Sequence, residues 1–85
     1  MHIDLDVSDL PPVEPMERIL EALQGLGAGD WLRVKHRLQP YPLYNLLREA
    51  GFAWLASSKG PTEFEIRIWR QGDKAAEADM GHVIR

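Results

Sequence analysis

His36 stands out among the side chains of this chain that can do chemistry. It falls on the apolar face of the segment WLRVKHRL, Trp31 to Leu38, one step before the break QPYP. A titratable ring in that place can act as a base, a metal ligand or a pH-sensitive contact. It can equally be a packed histidine whose ring nitrogen bonds a nearby loop. A bound metal or haem needs further ligands. Asp9, Glu14 and Met16 are the companions that chain order allows, but no two histidines stand at ligand spacing. Met16 also falls on an apolar helical stripe, where methionine ordinarily fills core gaps. The expectation is no cofactor, with a metal or haem at His36 as the minority alternative. Ser8 beside Asp9 lacks a base and an oxyanion site and reads as a turn residue. No cysteine is present, which excludes thiol nucleophiles, disulfides and thiolate metal sites.

The elements that position these groups follow from periodicity. Ile3, Leu5 and Val7 alternate with His2, Asp4 and Asp6, which predicts a half-buried strand. The prolines of SDLPPVEP end it, and Pro15 suits the first turn of a helix. Met16, Ile19, Leu20 and Leu23 mark that helix's apolar face, and GLGAGD stops it. A second strand runs from Trp31 to Leu38, with Leu32, Val34 and His36 on one face and Trp31, Arg33 and Lys35 on the other. Leu43, Leu46, Leu47 and Ala50 form a second helical face, with Pro42 near its start and Gly51 as the C′ residue. FAWLASS and EFEIRIW read as a hairpin joined by KGPT.

The order βαβαββ predicts one α/β (α+β) two-layer sandwich over residues 1–70. Its four-stranded mixed sheet carries both helices on one face, and its first crossover is parallel and right-handed. Residues 71–85 are polar and predict a frayed tail or a short helix. The second sheet face is expected to be open, with Trp31 and Trp69 exposed among charges.

The length of 85 residues allows one domain. A net charge of −3 disfavours a mainly electrostatic nucleic-acid binder. No apolar run approaches the roughly 18 residues of a membrane span. MHIDLDV lacks the pattern of a secretory signal, so the expected location is the cytoplasm.

The order of elements, LDVSDL with Pro15, and HRLQPYPLYNLL together resemble the TusA/SirA-like superfamily of small sulfur carriers. The stretch His36 to Leu47 is similar in particular to a prokaryotic sister group, domain-of-unknown-function family twenty-two forty-nine, across roughly residues 3–70. The resemblance implies a TusA-like fold and a redox, sulfur-relay or nitrosative-stress setting. It also implies a cysteine where this chain has Pro12, so persulfide chemistry is not expected.

Ligands of open α/β sheets sit beyond the carboxyl ends of the parallel strands. That edge gathers Asp9, Pro12, Glu14, His36, Arg37, Tyr41 and Tyr44, which form the candidate ligand- or partner-binding set. Two helix starts there suit a small anion, unless Asp9 and Glu14 cap them. The leading expectation is a non-catalytic binding or adaptor domain whose partner is another protein, with Trp31 and Trp69 as a second candidate interface. The alternatives are a sulfur-transfer or redox enzyme component holding a metal or small ligand at His36, and single-stranded RNA binding on the open face.

Overall fold

A computed structural model describes residues 1–11 and 13–84, with side chains through Gly81. Pro12 lies outside the described residues. The elements are β1 (His2–Asp6), α1 (Glu14–Gln24), β2 (Trp31–His36), α2 (Tyr41–Glu49), β3 (Phe52–Gly60), β4 (Glu63–Arg70) and α3 (Lys74–Ile84). The sheet order is β1-β2-β4-β3. β1 and β2 are parallel, and the other two pairings are antiparallel. This is the mixed four-stranded sheet that the period-two and helical patterns predict.

Burial follows the pattern of alternation. Leu32 and Val34 from β2 and Ile66 and Ile68 from β4 are fully buried on one face. Ile19 and Leu23 of α1 and Leu43 and Leu47 of α2 close over them. Burial of side chains this size contributes roughly 1.5–3 kcal/mol each, and this layer holds the two helix starts in place. Gly51 has φ +85°, the left-handed conformation that glycine adopts without strain, and it ends α2 as its position predicts.

The opposite face departs from expectation. The polar tail forms an ordered helix, α3, which covers one end of that face. Trp31 is fully buried there, packed against Ala76 and Met80 with Trp69 beside it. Two hydrogen bonds make this burial tolerable for the indoles: Trp31 Nε1 donates to Asp79 Oδ2 at 2.9 Å, and Trp69 Nε1 to Glu77 Oε2 at 3.3 Å. Asp73 fixes the start of α3. Its Oδ1 accepts from Ala76 N–H at 3.1 Å and its Oδ2 from Gly29 N–H at 2.8 Å, tying the helix to the loop before β2. Trp31 is therefore not an exposed anchor, and Trp69 is half-buried.

The rest of that face is open and laced with ion pairs. Asp4 lies opposite Arg33, and Lys35 opposite Glu65. Arg33 Nε meets Asp4 Oδ1 at 2.7 Å, which holds the Asp4 carboxyl below its usual range. Arg33 and Arg67 are cross-strand neighbours, and the repulsion between them is offset by one acid each. The acid for Arg67 is Glu65, at 2.6 Å in a mostly buried pair.

Candidate functional site

Parallel pairing of β1 and β2 brings their carboxyl ends, Asp6 and His36, to one edge, where α1 and α2 both begin. Between the two helix starts is a cleft of about 220 Å³. Pro15, Met16 and Ile19 line it from α1, Pro42 and Leu43 from α2, His36 from the end of β2, and Leu38, Gln39 and Pro40 from the chain that follows. Leu38 within the lining is 59% exposed. Val13 and Tyr41 flank it in sequence and are exposed as well. Exposed apolar residues thus surround a small, mainly apolar cleft at this edge.

His36 is the polar centre of this cleft and is 7% exposed. Its Nδ1 accepts a hydrogen bond from Leu38 N–H at 3.0 Å. An accepting Nδ1 is unprotonated, so the neutral ring carries its hydrogen on Nε2. Burial, and secondarily the charge of Arg37, push the imidazole below its usual pKa, which keeps it neutral at physiological pH. Nε2–H has no hydrogen-bond partner among the described residues. The histidine therefore orders the strand-to-helix turn with one nitrogen and leaves a donor on the other.

The remaining predicted residues divide. Arg37 follows His36 on the opposite side of the chain, is exposed, and acts on the imidazole only through its charge. Tyr44 turns away from the cleft. Its hydroxyl donates to Gln39 Oε1, and its ring stacks on Trp54 with 5.1 Å between centroids and 7° between planes. Burial, then the nearby Tyr41, raise the phenol's pKa. Asp9 is exposed and Glu14 half-buried in the first turn of α1. Neither caps a helix by hydrogen bonding: the N-cap positions are Val13 and Pro40, without side-chain caps.

The picture of open backbone donors at the helix starts fails for α2. Tyr41 N–H donates to the Gln39 carbonyl, Pro42 has no N–H, and Leu43 N–H donates to the Pro40 carbonyl. One donor that an anion would need is absent at Pro42, and the two beside it are already taken by local carbonyls. Ser8 is a turn residue, its N–H and hydroxyl both directed at Asp6 Oδ1. Met16 and His36 do line the same cleft, yet among the described residues no three His, Asp or Glu side chains cluster to hold a metal ion.

Two larger depressions lie elsewhere. One of about 390 Å³ on the open sheet face is bordered by the charged pairs already described. Another of about 570 Å³ is a seam between the far ends of α1 and α2. Neither contains a buried titratable ring, so the smaller cleft at the loop edge is the better candidate.

This arrangement of sheet, proline-bearing helix starts and edge histidine defines a small α/β domain with one cleft at its loop edge. The profile of the family described as "Uncharacterized conserved protein (DUF2249)" matches residues 4–70, and the chain belongs to that family. No curated protein and no solved structure matches it. The matched span ends at β4, so α3 is an addition outside it. Trp54, stacked between sheet and α2, escaped the sequence reading. A tryptophan on an edge strand facing a Tyr-bearing helix was the available signal.

Proposed function

We propose that this protein is a non-catalytic binding domain that takes an extended segment of a partner protein at the His36 cleft. The observation that carries the reading is His36 itself: a largely buried, neutral ring with Nδ1 engaged and Nε2–H facing solvent with no protein partner among the described residues, set in an apolar cleft with exposed apolar residues around it. The occupant has two features. An aliphatic side chain fills the cleft, whose volume lies below the range of about 300–1,000 Å³ typical for small-molecule sites. A backbone carbonyl of the same segment accepts from Nε2–H, a donor that is open to solvent in the free cleft and that an occupant covering it must pair.

Catalysis has little support in this geometry. Among the described residues the other polar side chain of the cleft lining is Gln39, and its carbonyl oxygen is occupied by the Tyr44 hydroxyl. Among the described residues no acid stands in the lining to pair with the histidine. The fold analogy with sulfur carriers suggests a redox or sulfur-relay partner, but fold alone does not assign a role.

Panning a randomised octapeptide library, with His36→Phe protein as the counter-selecting bait, tests this reading. The expected result is enriched peptides that share one aliphatic residue and lose binding to the variant. Peptides that bind both proteins equally, or no enrichment, would contradict it.

A further inference from the structure

The two edges of the sheet are built differently. β1 has five residues and carries His2, Asp4 and Asp6. β3 has nine residues, and from Phe52 to Ser58 it contains no charge and no proline. Its one irregularity falls past that stretch, between Ser58 and Gly60. β3 pairs only with β4, which leaves its outer row of backbone groups without a strand partner. Edge strands that stay single are usually short, charged, bulged or proline-bearing, because such a row templates further pairing. β1 has that protection and the Phe52–Ser58 stretch of β3 does not.

We infer that β3 pairs antiparallel with β3 of a second copy about a two-fold axis at Leu55, joining the two sheets into one of eight strands. The sequence around Leu55 supports self-pairing and this register. A two-fold axis at Leu55 places Phe52 opposite Ser58, Ala53 opposite Ser57, Trp54 opposite Ala56, and Leu55 opposite its own copy. Each aromatic ring on the helix side thus meets a small residue, and no charge meets its like. On the other side, Leu55, now 41% exposed, is covered by its equivalent. A two-fold axis needs such a self-complementary patch. One step beyond, Lys59 falls opposite Gly51, so the pairing continues without a charge clash.

The absence of native cysteine makes the register directly testable. Antiparallel partners lie about 4.5–5.5 Å apart at Cα, within the disulfide range. Leu55→Cys should therefore cross-link rapidly under mild oxidation. Ser57→Cys is on the same face, but its equivalent lies about 14 Å along the strand, so it should not. Leu38→Cys, on an exposed residue past the end of β2 and off the paired strand, controls for collision. Analytical ultracentrifugation of the unmodified chain should show twice the 9.7 kDa mass as concentration rises, and Leu55→Lys should abolish it. A monomer at every concentration would overturn the inference. So would Ser57→Cys or Leu38→Cys linking as fast as Leu55→Cys, or a dimer that Leu55→Cys fails to link.

Discussion

Met80→Ala tests whether α3 is a docked element of the fold. An isolated helix of 11 residues is below the length of about 12–15 at which even good helix formers become marginally stable in water. α3 must therefore owe its order to contact with the sheet. Among the described residues that contact includes two apolar side chains, Ala76 and Met80, over Trp31, the two indole hydrogen bonds, the Asp73–Gly29 bond and the pairing of the Met1 ammonium with Asp79. Replacing a buried methionine by alanine costs about 2–5 kcal/mol. The low end applies here, because Met80 keeps 7% exposure and a terminal helix can settle into part of the gap. A loss of about 2 kcal/mol raises the open population of α3 about 30-fold. Amide exchange from Ala76 to Met80 should accelerate by that factor, and Trp31 emission should shift to the red as its ring meets water. The sheet should keep most of its protection, since the cluster under α3 is separate from the main core. Unchanged exchange in α3 together with unmoved Trp31 emission would refute the reasoning.

Two further perturbations probe the charges. The His36 imidazole titrates below its ordinary value when folded, so the unfolded chain binds the proton more readily. Stability should be flat above about pH 6.5 and should fall as pH drops from there toward the folded pKa, with a slope of at most about 1.4 kcal/mol per pH unit. Urea titrations between pH 7.5 and 5 should show that slope in the native chain and lose it in His36→Phe. Glu65→Ala leaves Arg67 buried and unpaired and should cost about 3 kcal/mol. Asp4→Ala, which removes a solvent-exposed partner of Arg33, should cost less than about 1 kcal/mol in the same assay.

The sheet and the two inner helices were legible because their residues obey simple periods. Leu32, Val34 and His36 alternate with Trp31, Arg33 and Lys35, and the structure keeps the two sets on opposite faces. The tail predicts a frayed end or a short helix, but its docking over Trp31 was not legible, for a physical reason. Its apolar content within DKAAEADM is a few small residues and one methionine, too little to announce a core face. What buries it is a tryptophan some 45 residues away in sequence, through the 48-residue separation of Trp31 and Asp79. Asp73 ahead of Ala76 and Met80 was the local signal, an N-cap followed by i, i+4 apolar spacing. At the loop edge, His36 could be placed by alternation and by the prolines after it. The loss of backbone donors at α2 could not, since it depends on how Gln39 and Pro40 turn their carbonyls.

The most direct test of the His36 cleft is a titration of isotope-labelled protein with N-acetyl-leucine methylamide, which carries one aliphatic side chain flanked by carbonyls. With about 13 heavy atoms at roughly 0.3 kcal/mol each, its dissociation constant should fall near 1 mM. The account predicts saturable shifts at Met16, His36 and Leu38, movement of the His36 Nε2 resonance, and loss of both in His36→Phe. The glycine analogue should bind too weakly to saturate. Shifts confined to other surfaces, or an Nε2 resonance that stays fixed while the leucine probe saturates, would contradict it.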